Sequence, residues 1–383
     1  MKIPFYKPPA LRASLKAVEE VMASRQLGGD GPFSKKVENW FRGHLGAAGA
    51  FLTPSCTAAM EMGLVLLGLE PHDEVIVPSF TFTSTANVVS LLGGIPVFVD
   101  HDPLTLTLDP GAIEAALTPQ TKGIIPVHYA GIAADMDPIM EIAQRHNLWV
   151  MEDAAQGMGA TYKGRPLGSI GHLGAISFHE TKNVVSGEGG LLAVNNPELV
   201  GLAEVVRNEG TDREAFLRGE VPHYGWVHRG SSYFMSELQA AYLAPQLEAL
   251  EDITNKRRMV WEFYQQSFAE LEQKGLLKRP FNPPYAFHSA HIYYILLENA
   301  HVTDQLGRAL KEAGIATSSH YRPLHLSTGG INLGRALGSL PHAESDPYRL
   351  LRLPLFYDMT LEEAAFVVNQ VKIFFKVQDA DVA

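Results

Sequence analysis

Ser177-Phe178-His179-Glu180-Thr181-Lys182-Asn183 runs straight into Val184-Val185-Ser186-Gly187-Glu188-Gly189-Gly190, and the rest of the chain is organised around this stretch. Ala175-Ile176-Ser177-Phe178 reads as a buried strand, and the glycine-rich turn after it leaves the Lys182 amine at a strand end beside mobile backbone. A lysine attacks an aldehyde only where part of it is neutral near pH 7, which desolvation or a neighbouring cation brings about. Most of the 31 Lys and Arg are solvated surface charges. Two features set Lys182 apart: Ser177, five residues earlier and able to bond a phosphate, and an acid upstream.

That acid closes the run Leu148-Trp149-Val150-Met151-Glu152-Asp153, which continues as Ala154-Ala155-Gln156. An apolar strand ending in Asp153 puts a carboxylate at the C-terminal end of a parallel strand, where α/β proteins keep their chemistry. Asp153 reads as a helix N-cap. It also reads as the acid that keeps a pyridine nitrogen protonated, so that the ring draws in the electrons of a carbanion. Only the second role accounts for Lys182 as well.

Taken together and in order, Glu152 to Gln156, Ser177 to Asn183 and Gly187-Glu188-Gly189-Gly190 resemble the sugar-nucleotide aminotransferases of the DegT family, within it most closely the dTDP-4-amino-4,6-dideoxygalactose transaminases. The likeness runs from Ile3-Pro4-Phe5 to Leu353-Pro354-Leu355-Phe356. It implies a fold-type I pyridoxal-phosphate enzyme: an α/β large domain with a mostly parallel central sheet covered on both faces, and a smaller C-terminal α+β domain. It further implies amination of a nucleotide-linked 4-keto-6-deoxy sugar by L-glutamate, for the deoxyamino sugars of cell-surface polysaccharides. On this likeness Lys182 is the Schiff-base lysine and Asp153 the partner of the pyridine nitrogen. Gln156 bonds the ring hydroxyl, Phe82 stacks on the ring, and Cys56, Thr57 and Ser177 hold the phosphate.

Related enzymes frequently carry glycine where this chain has Cys56, so its contact would come from the backbone N–H. Many also have Asn at the position of Ser232, reaching the cofactor phosphate of the partner subunit, and Ser232 retains a donor for that bond. The family's Arg two positions later is Phe234 here, as in the 4-amino-galactose subgroup. A homodimer with a shared active site follows from the likeness. So do weaker substrate contacts from Asp30, Asn183, His320 and Tyr321. Relatives that act as sugar dehydratases have histidine in place of the lysine, and Lys182 argues against that activity. Amination to another epimer or ring position, and a regulatory homologue without catalysis, are the remaining alternatives.

The 383 residues, 46% of them hydrophobic, suffice for two modest domains, divided here as 1–253 and 254–383. A net charge of -11 argues against non-specific nucleic-acid binding. Cys56 is the one cysteine, which excludes an intrachain disulfide and a multi-cysteine zinc site. His320 and His325 straddle Pro323 at a spacing that suits no metal, and no metal is expected. Met1 to Pro9 breaks with prolines and charges the apolar run a signal peptide needs, so no membrane partner and a cytoplasmic location are expected.

Along the chain, Leu11–Leu27 and Lys35–Leu45 read as helices around the Gly28-Gly29-Asp30-Gly31 loop, a plain helix stop or, by likeness, part of the substrate entrance. Phe51 to Met62 reads as strand, turn and helix, with hydroxyl residues at a helix start that serve as a cap or an anion site. Glu74–Asn87 is expected to be a strand running into a helix, and strands are expected at Ile95–Asp100, Gly123–His128 and Leu191–Val194, alternating with helices as in a parallel α/β sheet. His128 is read as structural. One long helix is expected from Leu238 to Gln273, with Ser236 as its cap, then a strand-like run over Ala290–Leu296 and a last helix from Leu361 to Val377.

Overall fold

Short runs of β-branched and apolar residues make strands that must be covered on both faces. In the computed structural model, which describes residues 1–381 with side chains through residue 376, they form β1 (Gly49–Thr53), β2 (Glu74–Pro78), β3 (Ile95–Val99), β4 (Thr121–Ile124), β5 (Trp149–Asp153), β6 (Leu173–Ser177) and β7 (Gly190–Val194). They line up in one sheet in the order β1-β7-β6-β5-β4-β2-β3, with Arg335–Ala336 as an eighth, edge strand. From β6 to that edge every pair is parallel. β7 runs antiparallel to both of its neighbours. All residues of β1, β2, β6 and β7 are buried, as a sheet covered on both faces requires.

Helices α1 (Arg12–Ser24), α2 (Pro32–Leu45), α3 (Cys56–Leu66) and α4 (Thr83–Leu91) follow the sequence pattern. Ser55 caps α3, its hydroxyl accepting from Ala58 N at 3.0 Å. Glu237 caps α2 from far along the chain, accepting from Phe33 N and Ser34 N at 2.8 Å each. Gly190 of β7 lies directly against the start of α3. A Cβ there would sit 2.4 Å from Cys56 N, so only glycine lets the two backbones approach this closely.

Three expectations change. The long helix is three: Glu237–Glu248, Leu250–Ser267 and Ala269–Gln273. Pro245 inside the first lacks the N–H the ladder needs, and Ala249 and Phe268 leave helical geometry with ψ near 9° and 1°. Ser236 does cap the first, in a capping box with Gln239. The strand expected over Gly123–His128 stops at Ile124, because Pro126 cannot donate to the ladder; Val127 keeps one bridge to Asp153. The strand-like run from Ala290 is ordered as β only over Tyr293–Leu296, since Ala290 is left-handed at φ 51°.

Tyr293–Leu296 pairs with Leu350–Leu353, and the last helix covers Leu361–Asp381. A separate apolar cluster joins Val260, Tyr264, Tyr293, Leu306, Phe356 and Val367, with Ile3 as its one N-terminal member. We propose from this cluster that the C-terminal domain begins near residue 253, within the helix Leu250–Ser267.

Candidate active site

The C-terminal ends of β5 and β6, the start of α3 and a wall from the last hundred residues surround a cavity of about 650 Å³. Its floor is polar at the α3 end. Ser55, Cys56, Thr57, Ser84 and Ser177 all line it, and the Thr57 and Ser84 hydroxyls lie 2.8 Å apart. Hydroxyls gathered at a helix start, where N–H groups and the helix dipole point outward, form a cradle for a phosphate. Burial pushes the Cys56 thiol up, so Cys56 is a neutral wall residue there.

Asp153 is buried and fixed on both oxygens. Oδ2 accepts from the Thr85 hydroxyl at 2.8 Å, and Oδ1 from Ala155 N at 3.1 Å. Thr85 is held in turn by the Thr81 hydroxyl at 2.9 Å, one turn earlier at the entry to α4. The carboxylate is thus pre-aimed into the cavity as an acceptor for a ring N–H. Its neighbour Glu152 points the other way, where it receives His128 at 2.9 Å and the N–H groups of Gly168, Ile170 and Gly171. Burial works to raise the Glu152 carboxyl, but His128 and these N–H groups hold it below the usual range. His128 is therefore bound to a structural carboxylate.

Lys182 lies in the loop after β6, partly buried in the same cavity. Desolvation lowers its pKa, helped by the Arg352 guanidinium and opposed by Cys56 and Asp153. That is the direction a nucleophilic amine needs. Phe82 stands at the N-cap of α4 with 58% of its surface exposed, which leaves an aromatic face free for a planar ring. Gln156 lines the cavity, but its amide is engaged: Oε1 accepts from Ala130 N at 2.7 Å and Nε2 donates to the Tyr321 hydroxyl at 3.2 Å.

His320 and Tyr321 stack with centroids 3.9 Å apart and line the same cavity as Asp153 and Lys182. Asn183 does not line the cavity; its amide donates to Ser289 O and its carbonyl faces His291 Nδ1, both at 3.0 Å. Asp30 lies outside it too, beside Arg207 and Lys35. Ser232 is exposed and away from its own chain's cavity, in a backbone bridge to Asn208.

Several lining residues escape sequence reasoning. Thr81 lines the cavity and Thr85 lies behind it against Asp153, and their helical spacing is a weak cue. Phe5 and Tyr6 reach the cavity mouth from the N-terminus, where the Tyr6 hydroxyl donates to Glu180 at 2.6 Å. Arg352 had a usable signal: it is a cation inside the apolar strand Leu350–Leu353. Among the described residues no group of three or more His, Cys, Asp and Glu is placed to hold a metal.

The pattern of the DegT/DnrJ/EryC1/StrS aminotransferase family matches residues 11–372. Among solved structures the chain is similar to the aminotransferase TlmJ of Streptoalloteichus hindustanus, with 30% identity, 98% of this chain and 100% of that one covered, and a TM-score of 0.90. It is similar to DesV of S. venezuelae, solved in complex with a ketimine intermediate, at 32% identity, 97% and 98% coverage and a TM-score of 0.87. The sugar aminotransferase Spr1654 of Streptococcus pneumoniae, described as putative and solved in a PMP form, matches at 28% identity, 97% and 99% coverage and a TM-score of 0.90.

Proposed function

The chain belongs to the DegT/DnrJ/EryC1/StrS aminotransferase family and is a pyridoxal-phosphate-dependent sugar aminotransferase; from this premise we propose that it aminates dTDP-4-keto-6-deoxy-D-glucose with L-glutamate, giving dTDP-4-amino-4,6-dideoxy-D-galactose and 2-oxoglutarate. The observation that carries the transamination reading is the placement of a desolvated Lys182, a doubly anchored Asp153 and a hydroxyl-lined helix start around one cavity. The choice of sugar is supported by sequence likeness, including Phe234 in place of the family's arginine.

The donor set fits pyridoxal phosphate. Ser55, Thr57, Ser177 and the N–H of Cys56 would hold its phosphate, Asp153 its ring nitrogen, and Phe82 its face. When bound, this cofactor supplies an aldehyde for the donor's amino group and a ring that takes up the electrons released at the amino carbon. Lys182 would hold the cofactor through its amine and, with that amine free, would carry through Nζ the proton at the donor's amino carbon in one half-reaction and the proton at C4 of the sugar in the other. Asp153 would accept from the ring N–H, and the Phe82 and Tyr321 rings lie side by side with centroids 6.2 Å apart.

The working unit in this reading is a homodimer. Ser232 is turned outward, and the preceding segment exposes Tyr224, Trp226 and Val227, with Trp226 82% exposed, a patch that a second copy would cover. No described helix is long and apolar enough to cross a membrane, and we place the enzyme in the cytoplasm, making precursors for cell-surface polysaccharide.

An absorbance spectrum of the purified protein tests the function. L-glutamate should replace the lysine-bound band with a pyridoxamine-like one, and dTDP-4-keto-6-deoxyglucose should restore it. Conversion by glutamate without reversal by the sugar would reject the substrate, and no response to glutamate would reject the reaction.

A further inference from the structure

Glu152 is completely buried one residue before Asp153, on the opposite face of β5, and no Lys or Arg among the described residues pairs with it. Backbone and ring donors fill its acceptor positions instead. Ile170 N and Gly171 N reach Oε1 at 2.6 and 2.7 Å, and Gly168 N and His128 Nε2 reach Oε2 at 2.8 and 2.9 Å. His128 Nδ1 accepts from Ala134 N at 3.1 Å, so the ring carries its proton on Nε2 and donates. A carboxylate taken wholly out of water with no cation beside it is costly to keep, and its removal leaves all of those donors unanswered.

The three N–H groups belong to the turn that feeds β6. Side chains do little to hold this turn: a Cβ on Gly171 would sit 2.7 Å from Val150 O and one on Gly174 2.2 Å from Gly168 O, so backbone packs on backbone. Asn195, just past β7, fastens the carbonyls, donating to Gly168 O at 3.0 Å and Gly171 O at 2.9 Å. Glu152 fastens the N–H groups. β6 then ends at Ser177 and leads to Lys182, β5 ends at Asp153, and all three residues line the cavity. Pairing between the two strands stops at Asp153 and Ala175, a last rung of the kind that opens most easily. Beside that rung Glu152 clamps β5 to the lead-in of β6, and His128, which holds Glu152 through its ring, also donates its backbone N–H to Asp153 O at 3.1 Å.

We propose that Glu152 is a positioning residue for transamination: seated on the turn and on His128, it fixes the span between Asp153 and Lys182 across the cavity. The proposal rests on the ring-nitrogen role of Asp153 and the amine role of Lys182, and is independent of the identity of the sugar. The competing account is a through-space effect of the Glu152 charge on Lys182. Geometry favours the seat, because the carboxylate does not line the cavity and both of its oxygens are taken by donors on the far face of β5. Both half-reactions use Asp153 and Lys182, so a change in their span should slow the two alike without weakening the hold on either substrate.

Two variants of the holoenzyme separate seat from charge. Glu152→Asp keeps the charge but is one methylene too short to reach the turn and His128 together. Glu152→Gln keeps the length but turns its NH2 toward two donors whichever way it faces. In both, the single-turnover rates with L-glutamate and with the keto sugar should fall about tenfold, as small misplacements of reacting groups produce, while half-saturating concentrations stay within about threefold of wild type. In Glu152→Asp the pH midpoint of the lysine-bound absorbance band should rise by about half a unit, because a ring nitrogen less firmly held by Asp153 sets less positive charge against the lysine nitrogen. Glu74→Gln, at the other end of β2 from the cavity, is the control for lost stability, and its rates and midpoint should match wild type. Glu152→Asp with wild-type rates or an unmoved midpoint would overturn the proposal, whatever happens to its melting temperature. A loss confined to Glu152→Gln would overturn it in favour of charge, and a loss confined to one half-reaction or to the half-saturating concentrations would overturn it as well. Should neither variant fold, His128→Gln, which leaves the three N–H groups seated, should show the same slowing at about threefold, and wild-type rates there would count against the seat. A Lys182→Ala protein that keeps the lysine-bound band would instead sink the role of Lys182.

Discussion

The proposed role of Asp153 as partner of a ring nitrogen needs a carboxylate that cannot rotate away, and the Thr85 hydroxyl is one of the two groups that hold it. Thr85 Oγ1 donates to Oδ2 at 2.8 Å and is itself backed by Thr81 at 2.9 Å. Thr85→Val keeps the shape and deletes the donor. A hydrogen bond to a charged group contributes about 1.5 kcal/mol or more, so the rate of the glutamate half-reaction should fall about tenfold while the cofactor stays bound. Asp153→Asn should cost more, because a neutral amide no longer favours a protonated ring. Single-turnover spectroscopy measures both. A Thr85→Val protein with wild-type rates would show that the Ala155 N–H alone holds the carboxylate.

At the scale of elements, the edge strand Arg335–Ala336, paired with β3, carries one ion pair to the sheet's β2. Arg335 Nε and Nη2 donate to the two Glu74 oxygens at 2.6 and 2.7 Å, and Thr118 adds a third bond at 2.6 Å. Hydrogen bonding from Arg335, against the opposing effect of burial, holds the Glu74 carboxyl below its ordinary value. The folded pKa therefore lies below the unfolded one. The stabilisation is fully present above the unfolded value, about 4.3, and is lost as pH falls through the folded value. Glu74→Gln should lower stability at pH 7 by about 1–3 kcal/mol and flatten the acid limb. Melting temperatures from pH 7 to pH 3 measure this, and parallel curves for the two proteins would rule the pair out as an acid-sensitive clasp. Glu74 and Arg335 also mark where the sequence stops being legible. β2, β5 and β6 could be read because each is a local run of buried residues, and Asp153 and Lys182 because each sits at the end of such a run. Arg335, Phe5 and the Glu237 cap act on partners more than 150 residues away, and nothing in their own neighbourhoods announces it. The long helix after Ser236 failed differently: its apolar spacing continues across Ala249 and Phe268, while the backbone there does not.

At the scale of the whole molecule, what remains to be tested is whether one chain makes one complete site. Ser232, proposed as a contact to the partner's cofactor phosphate, is exposed and lies outside its own chain's cavity, and the exposed Trp226 and Val227 precede it closely in sequence. If Ser232 serves the partner's phosphate, two different dead proteins should rescue each other. Lys182→Ala removes the amine from its own site and still lends Ser232 to its partner. Ser232→Glu keeps its own Lys182 but sets a carboxylate against the neighbour's phosphate, where like charges repel. A mixed dimer then has one site with both defects and one site with neither. Random exchange of subunits makes half of the dimers mixed, so about a quarter of all sites should regain activity. Mixing the two purified variants under conditions that allow exchange, and following the glutamate half-reaction, measures that fraction. If Ser232 acted within its own chain, every site in the mixed dimer would keep one defect, and mixing would restore nothing.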